Sequence, residues 1–502
     1  MKTVLKITVL PLASLLMAAT PSWGALRTWN NSDPINGGLW NVGENWIDPI
    51  APTGSDTALI DNGGLVKVTT ADAAVSASSL IVGSTTNNNR LVIAGHTLTG
   101  GNIDIGDGVD SQGSITIQDG GTLRTDGTGS FRRMLIGYRG KGTVTVEAGG
   151  TFLTGADAFR LGSSAGAEGV VSVHGLWTHA GALSVGYNGT GVLTIGGAGT
   201  VQVEGLLTMG DGSAAVGVLN IGGQVGTDNV AAAPEAAGRL EVATIRGGSS
   251  TGSGGMATIN FNHTDARYEF TGAAQAPIAI TGNTTTRVNV LAGTTVLNGA
   301  NTYKGATRIT GGTLLANYTG TEAQTSSTGT GLVTVETDGT LGGIGRIAGA
   351  TEVLGTLAPG DGENGTGVLN FDGDLTLGAE SVTLLRLGGE ARGTEHDAIN
   401  IGGSFTLGGT LRLVLEEGLA LQPNDELTFH LFQSDGFNGT FTLLDLPEIS
   451  DGLALNWNTS LLYTDGSVSV NVAAIPEPGV AWLLLCVGAA AGVRFVGKRS
   501  LT

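Results

Sequence analysis

Few residues in this chain could do covalent chemistry. The Gly-x-Ser-x-Gly pattern that can present a serine nucleophile occurs twice, as GSSAG at 162–166 and GSSTG at 248–252, centred on Ser164 and Ser250. Glycine supplies 86 of 502 residues, so chance alone produces matches of this kind. Serine-hydrolase chemistry also needs the serine on a sharp turn from a strand into a helix, and no helical pattern follows either stretch. GDGENG at 360–365 fits a Gly-x-Gly-x-x-Gly phosphate loop. There Asp361 and Glu363 would repel a phosphate, and no helix follows to offer its N-terminus, so it reads as a turn.

The metal-binding residue types are equally scattered. His174 and His179 are five residues apart, which places them on opposite faces of one extended strand. The six histidines give no zinc-like spacing and read as surface or turn residues. Asp104, Asp107 and Asp110 in IDIGDGVD offer oxygens of the kind calcium takes, but the calcium-binding nonapeptide pattern is absent and they read as acidic turn residues. No residue is therefore assigned as catalytic, and no metal or cofactor is expected. A polysaccharide lyase or glycosidase needs facing carboxylates or basic residues gathered in one groove. With few basic residues and no stacked polar position expected to recur, that class is the alternative. Asp, Glu, Arg and aromatics aligned in one groove would favour it, whereas a smooth Thr/Ser/Asn face would favour a scaffold or adhesin.

The elements that must position these groups are short strands. A strand ending in glycine recurs as LIVG (80–83), IDIG (103–106), MLIG (134–137), FRLG (159–162), LSVG (183–186) and LTMG (207–210), with final glycines 23, 31, 25, 24 and 24 residues apart. After each comes a Gly-rich turn and a second strand of period-two alternation: SITI (114–117), TVTV (143–146), VVSV (170–173), VLTI (192–195) and VLNI (218–221). Ile115 and Ile117, Val144 and Val146, Val171 and Val173, Leu193 and Ile195, and Leu219 and Ile221 would share the inward face. A unit of about 24 residues without helical periodicity predicts an all-β, right-handed parallel β-solenoid, each coil burying its apolar face against its neighbours. The length allows about 16 coils and a rod of about 80 Å at about 4.8 Å per coil. A β-propeller is the runner-up, though its blades need about 40–50 residues; a two-sheet sandwich array is third.

The organisation follows. Residues 1–24 read as a secretory signal, with Lys2 and Lys6 ahead of an apolar run and cleavage between Gly24 and Ala25. Residues 25–78 form a front piece in which Trp29, Trp40 and Trp46 are expected to cap the open solenoid end. Repeats fill 79–225, an irregular insertion with strands covers 226–290, and regular strands resume through 291–472. The net charge is −19. Without the signal and the tail after 472, 19 basic and 42 acidic residues leave about −23, which disfavours nucleic acid and anionic lipid. The body has no cysteine, so hydrogen bonds and packing must hold the fold.

TTVLNGANTYKGATRITGGTLLAN (294–317) resembles the autotransporter-associated β-strand repeat, through Gly299, Asn301, Tyr303 and Gly305 followed by Gly311 to Leu314. The likeness continues in DGTLGGIGRIAG, EHDAINIGGSFTLGGTLRLVL and LLYTDGSVSV, to about residue 472. It implies a parallel β-solenoid on or outside the cell, and carries no activity. Residues 473–502 leave no room for a membrane barrel. They resemble a PEP-CTERM sorting signal: Pro476, Glu477 and Pro478, an apolar segment, then Arg494, Lys498 and Arg499. That resemblance implies an exosortase-type processing enzyme as partner, with the Pro-Glu-Pro residues as its substrate. The apolar stretch Gly479–Val493 makes a helix of about 22 Å, or about 27 Å when extended to Val496, barely long enough to span a bilayer with its basic end in the cytoplasm. The expected function is a non-enzymatic surface or matrix protein, structural, adhesive or polysaccharide-associated, anchored in the membrane by that helix and then cut at the joint.

Overall fold

The strand-ending glycines show why the chain coils. In the computed structural model, which describes residues 24–72, 75–125, 133–155, 159–225, 231–248, 254–362, 365–450 and 452–475, Gly83, Gly106, Gly137, Gly162, Gly186 and Gly210 all have φ between +62° and +78°. That left-handed corner costs a residue with a Cβ about 1–2 kcal/mol. Space is short as well: a Cβ on Gly137, Gly162 or Gly186 would lie 2.1–2.2 Å from the carbonyl oxygen of Glu168, Thr190 or Val216 in the next coil. The same residues donate their N–H to the coil before, as Gly137 does to Ile105 at 2.8 Å and Gly186 to Leu161 at 3.0 Å. Each corner glycine thus turns the chain and ties two coils together.

After the corner, the alternating strands stack in strict register. Ile115 pairs with Val144, Val144 with Val171, Val171 with Leu193, and Leu193 with Leu219. All ten residues assigned to the inward face are at most 1% exposed. The ladder continues through Ile259 and Val288 and ends as a 16-stranded sheet with one strand per coil. Fifteen steps of about 4.8 Å give a rod about 70 Å long. Pairing is parallel and runs between successive coils, which excludes the propeller, whose blades are separate sheets. A 15-stranded sheet covers the other sides of the first half, and sheets of eight and four parallel strands replace it in the second.

The loosened repeat is a longer coil, with the ladder unbroken across it. Leu193 and its partner Leu219 are 26 residues apart, whereas Leu219 and its partner Ile259 are 40 apart. Strands Arg239–Glu241 and Thr244–Gly247 keep the parallel register of the coil before. Within this coil Asn262 donates to the carbonyls of Gly223 and Ala232.

Non-repeat segments pack at both ends. Trp29, Trp40 and Trp46 are each 1% exposed and meet edge to face at 5.1 and 5.2 Å between ring centres. The chain around Trp46 runs antiparallel to the first strand, and Ile47 donates to the Thr28 carbonyl. At the other end Glu426–His430, Ile449–Ser450, Leu453–Asn458 and Ser467–Ala474 form a four-stranded antiparallel sheet, packed against the core through Phe429 and Val468. The signal at 1–23 and the Pro-Glu-Pro and apolar segment at 476–502 lie outside the described residues. Among the described residues no helix is long and apolar enough to cross a membrane.

Candidate functional site

The residues that sequence chemistry singled out do not converge. Ser164 sits in the turn between two coil strands, and Ser250 lies outside the described residues. His174 and His179 do not share a strand, because a turn at 174–175 separates strands Glu168–Val173 and Leu176–His179. His179 is a core residue, which corrects the surface reading; His263 and His396 are buried too. Thr154 and the Ala182 carbonyl each lie 3.0 Å from the His179 ring, and burial holds its pKa below the ordinary value. Asp104 is buried and paired with Arg133 at 2.7 Å. Burial pushes its pKa up, with Arg133 opposing. Asp107 faces Arg139 at 3.6 Å. Ala25, at the expected signal cleavage, donates its N–H to Asp56 at 2.8 Å.

The outer faces correct another expectation, since polar positions do stack across coils. Thr116, Thr145, Ser172, Thr194, Asn220, Asn260 and Asn289 form one row of the long sheet. The asparagines bond in series: Asn289 donates to Asn260 at 2.8 Å, Asn260 to Asn220 at 2.9 Å, and Asn220 to Thr194 at 3.1 Å. On the eight-stranded sheet Thr294, Thr313, Thr340 and Thr356 form a second row. The signal lay in the Thr-x-Leu and Asn-x-Val alternation, but lining up rows needs the exact coil lengths.

A groove of about 620 Å³ runs beside the second row. Its floor is the next outward row, Leu315, Gly342 and Ala358, with Leu384 at the far end. Gly342 and Ala358 are small between two leucines, so the face dips there. One wall is the threonine row. The other is the Asp361–Gly362 turn, held by Arg267 and Asn317 on Asp361 at 3.0 and 2.6 Å and by Arg386 on the Gly362 carbonyl at 2.6 Å. Arg386 also pairs with Asp397 at 3.0 Å, and burial raises the Asp397 pKa while Arg386 opposes the shift. Asp361 and Gly362 of the GDGENG stretch thus form a wall of this groove, pinned by arginines.

A polar hollow of about 470 Å³ gathers Arg239, Asp265, Tyr268 and Glu269. These are the types a carbohydrate-active site would use, but each is already engaged. Arg239 pairs with Glu241 at 2.7 Å and Glu269 with Arg267 at 2.8 Å. Asp265 accepts from the Ala237 N–H at 3.2 Å, and Tyr268 donates to the Gly238 carbonyl at 3.0 Å.

Residues 292–316 match the Passenger-associated-transport-repeat family. Among curated proteins, the chain is 27% identical over 394 residues to "Adhesin BmaC autotransporter" of Brucella suis biovar 1 (strain 1330), covering 72% of this chain and 11% of that protein. It is also 27% identical over 370 residues to "Uncharacterized lipoprotein YdeK" of Escherichia coli (strain K12), covering 72% of this chain and 25% of that one. The chain therefore spans about a tenth and a quarter of these relatives. Within the matched repeat and just before it, the structure gives the motif residues internal work. Asn301 is fully buried, accepts from the Ile280 N–H at 2.7 Å and donates to the Ser327 carbonyl at 2.7 Å, bridging the coils before and after its own. Tyr303 is fully buried with its hydroxyl on Thr307 at 2.5 Å, and burial raises its pKa. A Cβ on Gly305 would lie 1.8 Å from the Thr286 carbonyl oxygen. The motif holds coils together.

Proposed function

We infer that this chain is a non-enzymatic, exported β-solenoid that acts at or outside the cell surface as an adhesive or structural rod. The observation that carries this reading is the separation of roles between faces: glycine corners, the Asn301 clamp and the aliphatic ladder work inside, while threonines and serines such as Thr116, Thr145, Ser172, Thr313 and Thr340 line the outer faces. The likeness to an adhesin supports it. The coil is read as right-handed, following the crossover rule for parallel strands of one sheet. The finer reading is export through the segment before Ala25, anchoring by the apolar segment after residue 478, and recognition of Pro476, Glu477 and Pro478 by an exosortase-type enzyme. Arg494, Lys498 and Arg499 stay on the cytoplasmic side, and an extracellular polysaccharide is the partner.

Two measurements test it. Cells displaying the chain should adhere to a polysaccharide-coated surface more strongly than cells lacking it, and equal adhesion would overturn the adhesive role. Mass spectrometry of termini in cell fractions should find Ala25 at the front and an end near Pro476; an envelope form reaching Thr502 would overturn the processing step. A carbohydrate-active enzyme is the second reading, favoured by the hollow at Arg239, Asp265 and Glu269. It predicts release of reducing or unsaturated ends from polysaccharide, lost in Glu269→Gln.

A further inference from the structure

We propose that the groove beside the Thr294–Thr313–Thr340 row is a binding site for a linear, neutral glycan lying along the rod axis. The proposal rests on the adhesive reading and names its site and ligand class.

The backbone first rules out added strands. Strands Thr294–Leu297, Thr313–Ala316, Thr340–Gly343, Thr356–Pro359 and Val382–Leu387 each pair with a neighbour on both sides. Their N–H and C=O groups are consumed, so an extended peptide cannot join here by strand addition. An occupant of this face must be recognised by side chains alone.

Those side chains come in two parallel rows. One is hydroxyl: Thr313 and Thr340 are neighbours in the ladder, half-buried, and both line the groove. The other is apolar, with Leu315 and Ala358 flanking Gly342. A pyranose ring offers the same two properties at right angles, an apolar face and an edge of hydroxyls. Laid on the floor, each ring turns its edge toward the threonines. The rows repeat once per coil, about 4.8 Å, close to one sugar unit of an extended chain. The two rows run together over three strands, as Thr313 and Leu315, Thr340 and Gly342, and Thr356 and Ala358, which gives two such steps, about 10 Å of track.

Charge selects against acidic chains. Arg267 is held by Glu269 and Asp361 at 2.8 and 3.0 Å, and Arg386 by Asp397 at 3.0 Å with Glu416 at 3.8 Å. Among the described residues no cation lining the groove is left without a carboxylate, and the whole chain carries −19. A uronic-acid or sulfated polymer would meet net repulsion, whereas a neutral one would not.

The test uses the purified full-length chain in detergent, titrated calorimetrically with cellohexaose, xylohexaose, maltohexaose and chitohexaose, with hexagalacturonate as the acidic control. At least one neutral chain should bind at millimolar concentration or below, and the acidic control should not. Ala358→Leu fills the dip without touching the ladder and should weaken binding at least about tenfold, with the thermal melt unchanged. Thr313→Val with Thr340→Val removes two hydroxyls at constant shape and should weaken it by about tenfold as well. No neutral binding, preference for hexagalacturonate, or undiminished binding by Ala358→Leu would each overturn the proposal. Adhesion by cells displaying Ala358→Leu separates the two readings. Full adhesion without glycan binding sinks the groove alone, and equal adhesion with and without the chain sinks the adhesive reading.

Discussion

Gly162 and Gly166 are four residues apart and both left-handed, at φ +62° and +78°, but only one is crowded. A Cβ on Gly162 would lie 2.2 Å from the Thr190 carbonyl oxygen, while nothing stands within 4 Å of one on Gly166. Gly166→Ala should therefore cost only the backbone strain, about 1–2 kcal/mol. Gly162→Ala adds a clash with backbone that cannot yield without spreading two coils, and should cost 3 kcal/mol or more on the order of the larger single-site effects. Urea denaturation of both variants checks this, and equal midpoints would overturn it. The corner glycines were legible in sequence because their period survives any error in strand bounds. His179 was missed although it is in period-two phase with Val173 and Trp177, because its polar ring reads as a surface group until Thr154 and the Ala182 carbonyl are seen to satisfy it inside.

At the scale of elements, a row of side chains one coil apart behaves as a unit. Asn260 is 2% exposed and sits between Asn220 and Asn289, accepting from one and donating to the other. Asn260→Ala should strand a buried amide oxygen on Asn220, costing about 1–3 kcal/mol; a thermal melt equal to that of the unmodified chain would overturn this. Buried histidines couple the strands to pH. Burial is the leading cause that lowers the pKa of His179, His263 and His396. The unfolded chain takes up protons near pH 6.5 while the folded one still refuses them. Stability from these neutral rings is thus complete above that pH and is lost as pH falls below it, by at most about 1.4 kcal/mol per pH unit for each histidine. Asp104 and Asp397, raised by burial, act with the opposite sign, so single-site variants carry the test. His179→Gln should flatten the fall in melting temperature between pH 7 and 5, and an unchanged slope would refute the assignment. Strand existence and inward face were readable from period-two alternation. The rows were not, since the 31- and 40-residue coils shift which outer residues become neighbours.

For the whole rod, each coil is stable only because another coil or a cap covers it, so the ends decide whether it stays single. A parallel ladder ends in unpaired strand edges that invite a second copy. The antiparallel sheet at the C-terminal end covers part of this edge: Leu431 and Phe432 donate to the Gly466 carbonyl, and the Trp457 ring lies 6.2 Å from Phe429. Ending the chain after Pro447 removes strands Leu453–Asn458 and Ser467–Ala474 and uncovers Phe429, Leu431 and Phe432, all buried in the intact fold. The truncated rod should then associate end to end, with a mass by light scattering that rises with concentration. Salt separates this from loose aggregation through charge. The full chain carries −19, and two copies meeting end on repel each other until added ions screen them. Association should strengthen as salt rises from about 0.01 to 0.15 M, over which the screening length falls from about 30 to about 8 Å. A truncated chain that stays monomeric across that range would mean that the last coil closes itself, and that the cap serves some purpose other than protecting the end.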